Sequence, residues 1–184
     1  MRHKLTGFGL LSAVVMVTVC FHPGQASATD ASGFTGITVA KGVGFPAFDV
    51  SNKVVLPPVT GGDDDDAKVW LSKQKTKGLS DLYIVNNTWA VGGTTGWHTH
   101  PGHSLIIVTA GSITDYESDD PTCTGKVYTA GMSFVDEGGT GHAHVIRNEG
   151  SVVATNIVVQ LVPTGASRRI NVPVVPANCP ITLQ

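Results

Sequence analysis

Helical signals are what this sequence lacks most. No window of its 184 residues carries a sustained apolar repeat of three to four residues bounded by capping residues. An excess of positive charge is missing as well, because 12 basic residues stand against 14 acidic ones. A mildly acidic chain offers no electrostatic attraction to phosphate backbones. The first absence argues against a helical fold, and the second leads us to expect no nucleic-acid partner.

Short strand-like segments take the place of helices. Runs of valine, isoleucine, threonine and aromatic residues alternate with turn-forming residues, and the chain has 22 glycines. Many short strands separated by turns indicate a sandwich or a barrel. The sequence therefore predicts an all-β fold, a sandwich or a barrel, over residues 67–165. Residues 29–66 form an N-terminal arm in this prediction, and residues 166–184 form a C-terminal tail.

Residues 1–28 have the features of a secretory signal peptide. A basic start at Arg2 and Lys4 precedes a largely apolar stretch, and residues 26–28 (Ala-Ser-Ala) offer a small-residue cleavage site. The uncharged apolar part is short for a membrane span, which favours cleavage over anchoring. We expect an exported protein, periplasmic or secreted, that has no membrane association once the leader is removed.

Cysteine is scarce in the chain that remains. Cys123 and Cys179 are left after Cys20 goes with the leader. Both lie among turn residues and not within apolar strands, and an oxidising compartment permits a bond between them. We predict a disulfide between Cys123 and Cys179, with two separate buried thiols as the alternative.

Histidine is concentrated in two windows. The first, residues 96–111, reads GWHTHPGHSLIIVTAG, and the second, residues 141–148, reads GHAHVIRN. Together they contain five histidines: His98, His100, His103, His142 and His144. The two remaining histidines lie in the leader, so no histidine of the mature chain falls outside the windows. Imidazole is a common ligand of first-row metals, and this clustering therefore indicates a metal site.

The first window resembles the first motif of the cupin family. That motif runs H-x-H, three or four residues, a glutamate, six residues and a glycine. His98 and His100 match its histidines, and Gly111 matches its closing glycine. Side chains two residues apart share one face of a strand, so both imidazoles can reach one ion. Ser104 stands where the family has its glutamate ligand, which is the main departure from the motif.

The second window resembles the second cupin motif, which ends in glycine, two residues, histidine, three residues and asparagine. Gly141, His144 and Asn148 match it, whereas the proline that the family has upstream is missing. The resemblance covers about residues 67–162. It implies a jelly-roll barrel, also called a double-stranded β-helix, and a metal site that includes His144.

The full ligand set stays open at this point. His103 is one residue out of phase with the first motif, but the Pro-Gly turn before it can reset its direction. His142 shares the strand face of His144 and is a further candidate. Asp136 and Glu137 lie in a glycine-rich stretch, where we expect them to be solvated. The predicted metal ligands are therefore His98, His100, His103 and His144. The ion is divalent, and ligand type alone does not choose among Fe, Mn, Cu, Ni and Zn.

Several residues outside the motifs have a predicted position. Asn156 and Gln160 interrupt an apolar final strand and share one face of it, which is either the pocket or the solvent side. Arg168 and Arg169 follow the barrel, where we expect surface positions. Trp97 precedes the first histidine, and we expect it to pack outside the barrel.

Two functions fit this resemblance. The first is a metal-dependent enzyme of dioxygenase or oxidoreductase type that acts on a small organic molecule through open coordination positions. The second is a non-catalytic barrel that binds a small ligand or a metal ion. Cupins include enzymes, isomerases, storage proteins and sensors, so the fold does not decide between them. In either case the predicted partner is a small molecule, and a homodimer stays open.

The leader predicts where the mature chain starts. Cleavage after Ala28 leaves Thr29 as the first residue. Mass spectrometry of the protein from the exported fraction should therefore give the mass of residues 29–184. A chain that retains Met1 in that fraction contradicts this prediction.

Overall fold

Strands account for all the regular structure in the part of the chain that is described. The computed structural model describes residues 30–57 and 68–181, so the predicted leader lies outside them. None of these residues belongs to a helix long and apolar enough to span a bilayer. The predicted all-β class is confirmed. The strands are β1 (Ser32–Phe45), β2 (Asp49–Leu56), β3 (Lys68–Lys75), β4 (Ser80–Thr94), β5 (His98–Thr99), β6 (Ser104–Ala110), β7 (Ser112–Glu117), β8 (Lys126–Thr129), β9 (Ser133–Asp136), β10 (His144–Arg147), β11 (Ala154–Pro163) and β12 (Ile170–Asn171).

Two antiparallel layers form the barrel. One has the strand order β4-β11-β6-β9 and the other has the order β5-β10-β7-β8. Apart from the β7–β8 hairpin, strands that follow each other in the chain lie in opposite layers. This is the strand order of a jelly roll, so the predicted barrel type is confirmed. The pairing of Thr94 with Arg147 joins the layers along one side.

The N-terminal segments extend this barrel in two ways. β1 pairs along most of β4 and becomes the edge strand of the first layer. Within residues 30–57 and 68–181, β2 and β3 pair only with each other, from Asp49 opposite Lys75 to Leu56 opposite Lys68. The hairpin places apolar side chains in solvent, including Trp70. A two-stranded hairpin is marginally stable by itself. Cross-strand side-chain pairs are therefore important for its stability.

The inward side chains of the barrel include both apolar and polar groups. Along β11, burial alternates with a period of two, as expected for a strand with one face on the core. Trp89, Val108 and Ala154 belong to an apolar cluster. Asn156 and Gln160 are also fully buried on the inner face of β11. Their spacing left open whether they face the pocket or solvent, and the structure places them in the barrel interior.

The C-terminal segment closes over the second layer. β12 pairs with β5, and Val172 donates a backbone hydrogen bond to the carbonyl of Trp97. Trp97 is fully buried in a cluster with Val145 and Cys179. The sulfurs of Cys123 and Cys179 lie at bonding distance, and their α carbons are 4.9 Å apart. The predicted cysteine pair is therefore brought together, and it ties the C-terminal segment to the loop after β7.

This pairing predicts a measurable stabilisation. A bond between residues 56 positions apart removes loop entropy from the unfolded chain. The chain-entropy estimate for such a loop is about 4 kcal/mol. Denaturant unfolding of the mature chain should therefore show a loss of about that free energy in the Cys123→Ser/Cys179→Ser variant. Thiol titration of unreduced, denatured wild type should find no free thiol, and two free thiols would rule the bond out.

Candidate metal centre

Strand pairing brings three histidines to one point. His98 on β5 is the direct partner of His144 on β10 in an antiparallel pair. His100 follows two residues after His98, and its side chain returns to the same face. The Nε2 atoms of His98 and His144 are 3.2 Å apart. One ring nitrogen from each of the three histidines lies within 4.8 Å of the others, and all three residues are buried.

The Nδ1 atom of each of the three rings makes a hydrogen bond on the side away from the common point. The partner in every case is an oxygen that accepts but does not donate. By Nδ1-to-oxygen distance, the pairs are His98 with the Gly96 carbonyl at 2.9 Å, His100 with the Arg168 carbonyl at 2.7 Å, and His144 with the Asp115 carboxylate at 3.2 Å. The Nδ1 atoms therefore carry the hydrogens, and each neutral ring turns an Nε2 lone pair toward the common point.

Burial and nearby charge set different pKa values on the three rings. Burial lowers the pKa of His98 well below its usual value, and the neighbouring His144 lowers it further. Burial also lowers the pKa of His100, to about 4, although Asp136 opposes the change. Burial acts on His144 in the same sense, but the charge and hydrogen bond of Asp115, together with the charge of Asp136, outweigh it and the pKa of His144 is raised. At neutral pH, His98 and His100 are uncharged and available as ligands.

The arrangement fits a first-row metal ion. Two nitrogens bound to one ion at about 2.1 Å lie about 3.0–3.4 Å apart in tetrahedral or octahedral geometry. The observed 3.2 Å between the Nε2 atoms of His98 and His144 falls in this range. Without a cation, two neutral rings in these tautomers place lone pair against lone pair. A metal ion removes this conflict, and so does an additional proton on His144.

A buried carboxylate at the same point was missed by sequence reasoning. Asp136 is the last residue of β9 and is 3% exposed, so the expectation that it is solvated is wrong. Its Oδ2 atom lies 3.2 Å from Nε2 of His100 and 3.6 Å from Nε2 of His144. The signal that could have found it is the alternation of strand side chains. β9 runs through Asp136, and the side chain two residues before it, Phe134, packs against the apolar core.

Ser104 takes part in the site through this carboxylate. It is the direct strand partner of Asp136, and its Oγ donates a hydrogen bond of 3.2 Å to Oδ2 of Asp136. The amide nitrogen of Gln160 in turn donates to Oγ of Ser104 at 3.2 Å. The serine at the position of the family's glutamate therefore acts as a support for the neighbouring aspartate.

The other two histidines of the windows lie elsewhere. His103, predicted as a fourth ligand, lines a surface cavity of about 300 Å³ together with Gln74 and Leu161. His142 has its Nδ1 atom 3.1 Å from the carboxylate of Asp119. Among the described residues, neither joins the group of three. The structure therefore brings together three of the four predicted ligands.

A small polar cavity adjoins the three rings. Its volume is about 50 Å³, and its lining includes Asn156, Gln160 and both arginines of the C-terminal segment. Arg168 and Arg169 are half-buried, so the expectation that they lie on the surface is wrong. Burial lowers the pKa of Arg169 to about 10, which leaves it charged at neutral pH. The amide nitrogen of Asn156 and the amide oxygen of Gln160 are buried and have no hydrogen-bond partner among the described residues.

Comparisons with known proteins concern the fold. No family model matches this sequence, and no curated protein does. The chain is similar to the solved structure of a cupin superfamily protein of Desulfitobacterium hafniense, with 15% identity over 44% of this chain and 67% of that chain and a TM-score of 0.38. It is similar to a protein with a double-stranded β-helix domain from Klebsiella pneumoniae, with 18% identity over 49% of this chain and 73% of that chain and a TM-score of 0.41. It is also similar to an oxalate oxidase in complex with glycolate, with 25% identity over 50% of this chain and 46% of that chain and a TM-score of 0.42. The overlaps are partial, and the fold assignment rests on this chain's own strand order.

The ring environments predict how the histidines titrate in metal-stripped protein. His144 should take up a proton at or above its ordinary pKa of 6.5, because Asp115 stabilises the charged ring. His98 should stay neutral well below that pH, and His100 should protonate near pH 4. Nitrogen-15 NMR of the imidazoles measures both the pKa values and the tautomers. A neutral His98 with its hydrogen on Nε2 would contradict the assignment.

Proposed function

We propose that this protein, whose barrel has the fold of the cupins, is a metal-dependent enzyme of oxidoreductase type that acts on a small organic molecule. His98, His100 and His144 hold one divalent ion in this proposal. The observation that supports it is the convergence of three buried Nε2 lone pairs on one point, each ring fixed through Nδ1. Imidazoles with such fixed outer partners are typical of metal ligands in proteins.

The residues around the point define what the site offers to a ligand. A bound divalent ion supplies Lewis-acid or redox chemistry. The chain itself contributes a free donor at Asn156, a free acceptor at Gln160 and a cationic group at Arg169. These groups line the same cavity as the histidines, so a small molecule with polar groups can be bound and oriented there.

A non-catalytic metal-binding barrel is the second candidate. The observation that favours it is the size of the cavity, which at about 50 Å³ has room for only a few water molecules. Pockets for organic ligands are usually about 300–1,000 Å³. Oxygen consumption with a panel of small organic molecules, measured for metal-loaded wild type and His100→Ala, separates the two candidates. Turnover that requires His100 supports the enzyme.

Export and assembly belong to the same proposal. The predicted leader and the paired cysteines both suit a periplasmic or secreted protein, because disulfides persist in oxidising compartments. A small-molecule partner follows from the polar cavity. The absence of nucleic-acid binding and the possible homodimer stay predictions.

Loss of a histidine ligand should release the metal. Each of the changes His98→Ala, His100→Ala and His144→Ala removes one nitrogen, so we expect a Kd raised roughly 100-fold or more. His103→Ala is the matched control, because it comes from the same window but lies outside the group, and it should leave the Kd unchanged. Metal analysis of purified protein and titration calorimetry measure the outcome, and circular dichroism checks that the β-rich fold persists. Unchanged metal binding in all three variants would overturn the proposed site.

A further inference from the structure

The carboxylate of Asp136 faces the point on which the three histidines converge. We propose that Asp136, from β9, is the fourth metal ligand and supplies the carboxylate that the first motif lacks at Ser104. This inference rests on the proposed metal site. It concerns a residue that lies outside both histidine windows and that belongs to neither motif.

Two distances place Asp136 beside the group of three histidines. Its Oδ2 atom lies 3.2 Å from Nε2 of His100 and 3.6 Å from Nε2 of His144. The first distance is within the range expected between atoms bound to one ion, about 3.0–3.4 Å, and the second is slightly longer. The contact is made to the Nε2 atoms, which face the common point, and not to the Nδ1 atoms, which are held from behind.

A cation is what this carboxylate needs. Asp136 is 3% exposed, and burying a charged group without compensation is costly. Its Oδ1 atom accepts from the backbone of Gly138 at 3.1 Å, and its Oδ2 atom accepts from Ser104. Among the described residues, no lysine or arginine lies within ion-pair distance of it, and the nitrogens it faces carry lone pairs when the rings are neutral. A divalent ion at the common point compensates the carboxylate and the lone pairs together.

The strand register explains how a neighbouring strand can supply the ligand. Ser104 and Asp136 are direct partners in the antiparallel pair of β6 and β9. Side chains at such positions point to the same face and have β carbons about 4.5–5.5 Å apart. A carboxylate at position 136 on β9 therefore lies as near to the histidines as one at position 104 on β6 would. The ion is then bound by three neutral nitrogens and one negatively charged oxygen.

An ion pair is the competing explanation for the same geometry. In that case a protonated His144 or His100 balances Asp136, and the carboxylate takes no part in metal binding. The two explanations differ in what happens when the metal is present. A ligand changes both the affinity for the ion and the coordination of the bound ion, whereas an ion-pair partner outside the shell leaves the coordination unchanged.

The test compares two charge-neutralising variants that lie next to each other. Asp136→Asn removes the buried carboxylate with little change in volume, and Glu137→Gln removes an exposed one. Wild type, both variants and His144→Ala are titrated with Zn²⁺ for affinity and with Co²⁺ for its visible absorption spectrum. We expect Asp136→Asn to raise the Kd for Zn²⁺ at least about 100-fold, above the usual effect of an outer partner. It should also alter the Co²⁺ spectrum at saturation, while Glu137→Gln changes neither.

The outcomes separate this inference from the proposed function. If wild type binds neither ion, the metal site itself fails. If wild type binds, His144→Ala loses binding and Asp136→Asn keeps the wild-type affinity and spectrum, only the role of Asp136 is overturned. Circular dichroism of the metal-free variants shows whether each has folded.

An exchange variant tests the inference where Asp136→Asn fails to fold. Ser104→Asp/Asp136→Ser keeps one carboxylate in the strand pair and returns it to the position of the family's glutamate. We expect its Kd for Zn²⁺ to lie within about tenfold of wild type, and Asp136→Ser alone to lie at least about 100-fold above it. Equal affinity of the exchange variant and Asp136→Ser would overturn the inference.

Discussion

The burial of several electron-rich atoms around one point is the constraint on which this structure depends. Three imidazole rings turn their Nε2 lone pairs inward because their Nδ1 atoms are held by oxygens that only accept. The carboxylate of Asp136 joins them from β9. Such a group is unfavourable in an apolar interior unless a positive charge is shared among its members. Apolar side chains nevertheless adjoin this group, because Trp89, Ile106 and Val158 line the same cavity as the histidines.

Positioning of the rings depends on parts of the chain that lie far from the histidine windows. The carbonyl of Arg168, in the C-terminal segment, accepts the hydrogen of His100, and β12 pairs with β5 next to His98. The same segment is joined to the loop after β7 through Cys123 and Cys179. The orientation of the His100 ring therefore depends on the position of the C-terminal segment. Displacement of the C-terminal segment would therefore change the position of β5 and the orientation of the His100 ring.

The sequence was sufficient for the all-β class, which follows from local strand patterns, and for the barrel and three of the convergent side chains, which follow from the resemblance of its motifs. It was not sufficient for Asp136. That residue ends a short strand and precedes Glu137 and two glycines, a composition typical of a solvated loop. Its burial comes from pairing with β6, which is a contact between distant segments. The half-buried position of Arg169 was missed for the same reason, because it follows from the return of the C-terminal segment.

The approach of the β9–β10 loop to the first window shows how the carboxylate is kept in place. Gly138 has a φ of +62°, and a β carbon there would lie 2.6 Å from the carbonyl oxygen of Gly102. Only glycine combines that conformation with so close an approach. The next residue, Gly139, donates a backbone hydrogen bond of 2.7 Å to the carbonyl of His100. The loop that follows Asp136 is thus fixed to the backbone of His100, directly after β5. A segment outside the first motif can therefore place a carboxylate beside the histidines, because its backbone is hydrogen-bonded to that motif.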